Sequence, residues 1–157
     1  MSKAFLDLLS NSEMPAHLDP AEKIRLRRRL KVLKEQPEPA LLLKSWLRKR
    51  ADIHSYRINV VDLDRLGLDA EVIPSGASDS RSGLSVNNFF EGYARKKNIK
   101  SIEKRHLLVP SEKPNVILRI MEEELPRPIP YGYLLADLAD HYEVRDRAQV
   151  LSLLKKL

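Results

Sequence analysis

The amino-terminal third of the chain alternates apolar and polar positions at helical spacing. Apolar residues recur every three or four positions at Leu26, Leu30 and Leu33, so they fall on one face of a helix. A proline follows Asp19, and Glu22 stands three residues beyond Asp19, which is typical of a capped helix N-terminus. This pattern predicts an amphipathic helix from residue 20 to about residue 36, where prolines at positions 37 and 39 end it.

A second helix is predicted over residues 39–50. Its apolar face is formed by Leu42, Leu43, Trp46 and Leu47. The two helices form a helical hairpin, and we expect Trp46 to be mostly buried where this hairpin meets the rest of the fold. A shorter apolar helix is expected over residues 3–9.

From about residue 55 onward the pattern changes to short, β-branched runs. Strands are predicted at residues 56–63, 70–74, 106–110 and 115–121, the last two as a hairpin. Further helices are predicted over residues 86–98, 131–141 and 144–156. The expected fold is α+β, an N-terminal basic helical hairpin packed on a small mixed sheet with C-terminal helices. We expect a basic helical region over residues 1–50 and an α+β domain over residues 51–157.

The composition is that of an ordinary globular protein, with 43% hydrophobic and 32% charged residues in a chain of 157. Cysteine is absent, which excludes disulfides, cysteine-ligated zinc and a cysteine nucleophile and fits a reducing compartment. No apolar run reaches the length of a membrane span, and the first residues lack the pattern of a signal peptide. We therefore expect a cytoplasmic protein without a membrane partner.

Positive charge is concentrated in one segment. Residues 22–50 hold eleven Lys or Arg and three Glu, a local charge of +8 in a chain whose total is +6. On the first predicted helix, Arg25, Arg28 and Lys31 lie opposite the leucines and predict a cationic outer face. Such a face suits a polyanion, because each neutralised phosphate releases counterions. The expected nucleic-acid-binding residues are Arg25, Arg28, Arg29, Lys31, Arg48, Lys49 and Arg50, with a second cluster at Arg95, Lys96 and Lys97.

A serine- and glycine-rich loop over residues 74–85 is the best candidate for a second kind of site. Its small residues and its one cation could cradle an anion through Ser75, Gly76 and Arg81. The spacing of a P-loop is absent. A surface connector that binds nothing is the alternative interpretation, and it is the one we favour.

No arrangement of residues predicts catalysis, a metal or a cofactor. The four histidines stand singly, without the spacing of metal ligands, and the G-x-S-x-G motif is absent. The C-terminal segment has the length of a helix-turn-helix, but residues 114–157 sum to −1, whereas a recognition helix is normally cationic. We expect a non-enzymatic protein.

Four stretches of the chain carry a family resemblance. They are residues 40–46 (ALLLKSW), 72–76 (VIPSG) with 83–84 (GL), 114–119 (PNVILR), and 130–138 (PYGYLLADL) with Arg145 and 148–151 (AQVL). In this order, over residues 40–157, they resemble the C-terminal region of AbiEi-type antitoxins and related transcriptional regulators of abortive-infection type IV toxin–antitoxin systems. The resemblance implies a regulator or antitoxin, not a catalyst. That family usually begins with a winged helix-turn-helix, whereas residues 1–37 offer only a capped basic helix, so residues 25–34 would be its local substitute.

The leading hypothesis is a non-enzymatic nucleic-acid-binding or regulatory, antitoxin-like protein that contacts the phosphate backbone through a basic helix. Contacts of this kind provide affinity and position without sequence choice. The alternative is a protein–protein interaction module that docks an acidic partner, such as a toxin or a subunit of a larger complex. An enzyme that acts on a phosphorylated small molecule at the 74–85 loop is a third hypothesis.

Overall fold

The computed structural model of the chain describes residues 18–47, 51–84, 87–140 and 152–153. In this part the α-helices are α1 (Pro20–Glu35), α2 (Pro39–Leu47), α3 (Leu63–Leu68), α4 (Ile99–Arg105) and α5 (Tyr131–Ala139). The strands are β1 (Asp52–Arg57), β2 (Val72–Pro74), β3 (Phe90–Arg95), β4 (Val109–Pro110) and β5 (Val116–Met121). The predicted α+β class is confirmed.

The chain divides into a helical unit, residues 1–50 and 130–157, and a sheet unit, residues 51–129. The sequence interpretation placed all of residues 51–157 in one domain. In the structure residues 130–157 group instead with the N-terminal helices, because α5 packs against α2. The predicted helix over residues 3–9 lies outside the described residues, and of the predicted helix over 144–156 only residues 152–153 are described, as helix.

In the helical unit, α1 begins as its sequence predicts. The Asp19 carboxylate accepts a hydrogen bond from the backbone N–H of Glu22 at 2.9 Å, and this bond lowers the pKa of Asp19. Capping of this kind satisfies an N–H that has no partner within the helix. Leu26 and Leu33 are buried, as the apolar periodicity requires, and α1 packs against α2.

The sheet unit is built on one mixed sheet with strand order β2-β3-β5-β1-β4. β3 and β5 run parallel at its centre, and the other neighbouring strands are antiparallel. One face of the sheet carries Val116, Leu118 and Ile120 of β5, which belong to a core cluster shared with apolar residues of α3 and α4. Because successive side chains alternate between faces, the other face receives Glu91, Tyr93 and Arg119.

Three predictions about the sheet unit are wrong. Residues 90–95, predicted as helix, form the central strand β3. The strands of the predicted 106–121 hairpin do not pair with each other, since β1 lies between β4 and β5. The strand predicted over 56–63 begins earlier, at Asp52, and ends at Arg57. A single helical turn over Val60–Asp62 follows, and the Asn59 side chain caps it.

The predicted strand over 70–74 and helix over 131–141 correspond to β2 and α5. No helix in the described ranges combines the length and the apolar character that crossing a membrane requires.

Candidate nucleic-acid interface

The outward face of α1 presents the predicted cations to solvent. Burial of Leu26 and Leu33 fixes the rotation of the helix, and Arg25, Arg28 and Lys31 on the remaining face are exposed. No ion pair joins any of these three side chains to a carboxylate of the described residues. Apart from a longer-range attraction between Arg25 and Asp19, the described residues leave these charges available to an external anion.

Trp46 lies beside this face and is mostly buried, as predicted, while part of its side chain lines a surface hollow. The guanidinium of Arg29, itself half-buried, stands over the indole ring at 5.4 Å from the ring centroid, a cation–π arrangement. Trp46 and Val32 form the apolar part of a shallow hollow of about 260 Å³, whose remaining walls are Arg25, Arg28 and Arg29. We call the exposed residues Arg25, Arg28 and Lys31, together with this hollow, the α1 surface.

The sequence interpretation did not assign Trp46 to the binding surface. The signal was present, because Trp46 follows Lys44 and precedes Arg48 by two positions each in an otherwise aliphatic helix. Aromatic rings among arginines are characteristic of surfaces that stack nucleobases. Arg48, Lys49 and Arg50, predicted to extend the basic surface, lie outside the described residues.

The second predicted cluster belongs to the sheet unit, at the end of β3. Lys96 lies 3.8 Å from the carboxylate of Glu122, with both side chains exposed, and Arg95 is half-buried and donates to the backbone carbonyl of Glu122 at 3.3 Å. Lys97 is exposed. These cations lie next to a run of three glutamates, 122–124, so this surface has mixed charge, unlike the α1 surface.

The 74–85 loop already holds an anion, which is the carboxylate of the protein's own Glu91. Glu91 is fully buried on β3, and its carboxylate accepts from the backbone N–H of Ala77 at 3.4 Å and from Arg119 of β5 at 3.0 Å. Gly76 has a φ of +55° and approaches so closely that a Cβ atom there would collide with the Glu91 carboxylate. The backbone cradle predicted at Ser75 and Gly76 is thus formed around an internal side chain.

Arg81, the only cation of this loop, also has internal partners. Its guanidinium makes a bidentate pair with Asp79, with Nη2 at 2.7 Å from Oδ2 and Nε at 3.1 Å from Oδ1, and it donates to the carbonyl of Ile129. Asp79 itself is buried, and its carboxylate also accepts a hydrogen bond from the backbone N–H of Arg81, which caps the short helical turn that follows. The described part of the loop folds as two short helical turns over Gly76–Ser78 and Ser80–Ser82, and its geometry favours the connector interpretation.

Asp69, the residue that follows α3, joins three segments of the sheet unit. Its carboxylate accepts from His106 at 2.6 Å and from Arg105 at 2.8 Å, and its backbone carbonyl accepts from Arg127 at 3.0 Å. Burial alone would raise the pKa of Asp69, but the hydrogen bonds from His106, the Glu71 backbone and Arg105 lower it below its ordinary value. The same contact raises the pKa of Arg105.

Within the described ranges, no group of three or more His, Asp or Glu side chains is placed to hold a metal ion. Asp69 and His106 form an acid–base pair in contact; Ser101 accepts from Arg105 beside them at 3.2 Å, but no hydroxyl or amine of the described side chains is bonded to Asp69 or His106. Chemistry of the nucleophile–base type therefore has no geometric basis at this pair.

Comparison with known proteins adds no relative: no protein-family model, no curated protein and no solved structure matches the chain.

Proposed function

We propose that this protein binds nucleic acid by contacting the phosphate backbone with the α1 surface. The observation that carries the proposal is the set of three exposed cations on one face of α1, Arg25, Arg28 and Lys31, none of which forms a close ion pair with a carboxylate of the described residues. Phosphates would neutralise these charges and release their counterions, which makes the binding dependent on salt. The regulatory, antitoxin-like role is the part of the proposal that rests on the sequence resemblance alone.

The part of the Trp46 side chain that lines the hollow supports the same assignment. An indole edged by three arginines offers a nucleobase or a sugar a flat apolar contact beside the cations that hold the phosphates. Contacts of this type tolerate any base, so we expect affinity with weak sequence preference.

The test compares two triple charge reversals. Arg25→Glu, Arg28→Glu and Lys31→Glu together should abolish retention of a mixed DNA and RNA pool in a shift assay. The control is Lys100→Glu, Lys104→Glu and Lys113→Glu, which makes the same change in net charge at exposed positions of the sheet unit. The control should retain most of the binding.

Circular dichroism melts check that both variants fold. We expect both to melt close to the native protein, because substitutions at exposed positions usually change the free energy of unfolding by less than about 0.5 kcal/mol. Retention that is unchanged in the α1 triple variant contradicts the proposal. Equal loss in both variants means that net charge alone attracts the polyanion, which contradicts the assignment to α1.

An acidic protein partner is the second candidate. The observation in its favour is that Ile24 and Leu41, on the same two helices as the cations, are 53% and 42% exposed. Apolar side chains at this level of exposure contribute to protein interfaces more than to contacts with phosphates. Absence of any nucleic-acid shift, together with a salt-sensitive complex that both Ile24→Ser and the α1 triple variant weaken, would favour this candidate.

A further inference from the structure

One hollow of the sheet unit lies where the two parallel strands end. Strands β3 and β5 finish at Arg95 and Met121, which are paired in register, and the segments that follow them line a cavity of about 490 Å³. Its apolar wall is formed by Ile73, Tyr93, Ala94, Met121 and Leu125. The volume of this cavity is within the range of small-molecule sites, and its lining is more polar than apolar.

Three cations line this hollow: Arg95, Lys97 and Arg127. Arg95 and Arg127 are bonded only to backbone carbonyls, and Lys97 has no hydrogen bond or ion pair within the described part of the chain. None of the three is therefore neutralised by a carboxylate there. The hollow as a whole has mixed charge, because Glu71, Glu123 and Glu124 also line it, but each of these cations can still pair with the acidic group of a ligand.

One of these cations has an unsatisfied donor. The Nε atom of Arg95 is buried and has no hydrogen-bond partner among the described residues. A buried donor without an acceptor destabilises the folded state, so such atoms are rare in native proteins and indicate a missing partner. An acidic oxygen of a ligand in the hollow would supply the missing acceptor if the Arg95 side chain turned to bring Nε to the cavity surface.

Arg127 is held in place by the end of α3. Its Nη1 donates to the carbonyl of Asp69 at 3.0 Å and its Nη2 to the carbonyl of Gly67 at 2.9 Å. These are carbonyls at a helix C-terminus, where a cation is favoured. The guanidinium is thus fixed by the backbone.

The acidic residues of the hollow restrict what can enter. Glu71 is 3.6 Å from Arg105 and is compensated by it, while Glu123 and Glu124 lie at the rim and are exposed. These exposed carboxylates repel the successive phosphates of a polyanion, and Glu124 can accept a hydrogen bond from a hydroxyl or amino group of a small molecule.

We propose that this hollow binds a small organic anion, a carboxylate or a phosphate ester that also carries a hydroxyl or amino group. Its acidic group lies against Arg95, Lys97 and Arg127, and its donor group faces Glu124. The site is separate from the α1 surface and does not depend on nucleic-acid binding. It assigns Arg95 and Lys97 to a ligand site in place of the nucleic-acid contact predicted from the sequence.

The test is isothermal calorimetry of the intact protein with four probes: inorganic phosphate, glycerol 3-phosphate, citrate and serine. We expect saturable binding of at least one probe that carries an acidic group and a hydroxyl or amino group. If glycerol 3-phosphate binds and neither citrate nor serine does, the site is one for phosphate esters. If citrate or serine binds and glycerol 3-phosphate does not, the site is one for carboxylates. Binding of inorganic phosphate alone, or of no probe, overturns the proposal.

Matched variants locate the binding. Lys97→Gln should lower the affinity for the probe at least tenfold. Lys100 is an exposed lysine three residues further along, and Lys100→Gln should leave the affinity unchanged. The triple α1 reversal should also leave it unchanged, which separates this site from the proposed function. Unchanged affinity in Lys97→Gln overturns the proposal, as does loss of oligonucleotide binding in Lys97→Gln without any effect on the small probes.

Discussion

Gly76 shows how a single position can be fixed by the side chain it faces. Its φ of +55° lies in the left-handed region, and the space where a side chain would begin is occupied by the Glu91 carboxylate. For both reasons, any residue with a Cβ atom at this position would destabilise the folded state. The pattern of small residues did indicate an anion cradle, but the sequence could not reveal that its anion lies fifteen residues away on β3.

Gly76→Ala should therefore lower the free energy of unfolding by about 2–5 kcal/mol, the sum of the left-handed backbone cost and the overpacking against Glu91. Gly83→Ala is the matched control, because Gly83 also has a positive φ, of 73°, but is exposed. The control should lose only about 1 kcal/mol. Urea unfolding measures both, and equal losses would contradict the role of the Glu91 contact.

Glu91 and Arg119 form an ion pair whose side chains are 1% and 5% exposed. Removing one partner leaves the other charge buried, which typically costs about 3–5 kcal/mol. We expect Glu91→Gln and Arg119→Met each to destabilise strongly, and the double variant to lose clearly less than their sum.

The exposed pair Lys96–Glu122, whose atoms are 3.8 Å apart, is the control for this double-mutant cycle. Its coupling energy should be about 0–1 kcal/mol. Additive losses at Glu91 and Arg119 would mean that other contacts of these residues, and not their mutual attraction, determine the effect.

At the scale of elements, α3 is closed at its C-terminus by Asp69, whose hydrogen bonds reach α4 and the segment after β5. Asp69→Asn should lower the stability by about 2 kcal/mol at neutral pH, since hydrogen bonds to a charged acceptor are lost. Asp64→Asn, on the same helix at an exposed position, should change it by less than about 0.5 kcal/mol.

The sign of the pH dependence follows from the lowered pKa of Asp69. Because the folded state holds the proton more weakly than the unfolded chain, this contribution is complete above the unfolded value of about 4 and is lost as the pH falls through the lower folded value. The difference in stability between the native protein and Asp69→Asn should therefore shrink only in acid. A difference that stays constant down to pH 2 would contradict this.

The elements that the sequence predicted correctly are those with local signals. The capped α1, with Asp19 before its proline, needs no distant partner to be recognised. The strand β3 cannot be recognised without its partners, because the periodicity of a short, largely apolar run such as FEGYA does not distinguish a buried strand from a buried helix. Pairing with β2 and β5 decides between them, and Gly92 fits this position, where a Cβ atom would come within 2.5 Å of the Ile73 carbonyl.

At the scale of the whole molecule, the concentration of charge could be read from the sequence, but the surroundings of each cation could not. Arg25 and Arg95 both stand in basic runs, yet the first is exposed on a helix and the second is half-buried beside glutamates. The difference arises from strand pairing, which places Arg95 beside Met121 and the acidic residues that follow it. Trp46 is a similar case, because only the packing of α1 on α2 leaves its ring partly open.

The last prediction concerns the salt dependence of nucleic-acid binding by the whole protein. If Arg25, Arg28 and Lys31 each neutralise one phosphate, replacing all three with Gln should reduce the slope of log K against log salt by about 3 for duplex DNA, or about 2 for a single strand. The control variant loses the same formal charge at exposed positions of the sheet unit, by replacement of Lys100, Lys104 and Lys113 with Gln. Its slope should stay within about 1 of that of the native protein. Fluorescence anisotropy between 50 and 300 mM salt measures the slopes. An unchanged slope in the α1 variant, with lower affinity at every salt concentration, would mean that its cations support the fold of the binding surface and do not contact phosphates.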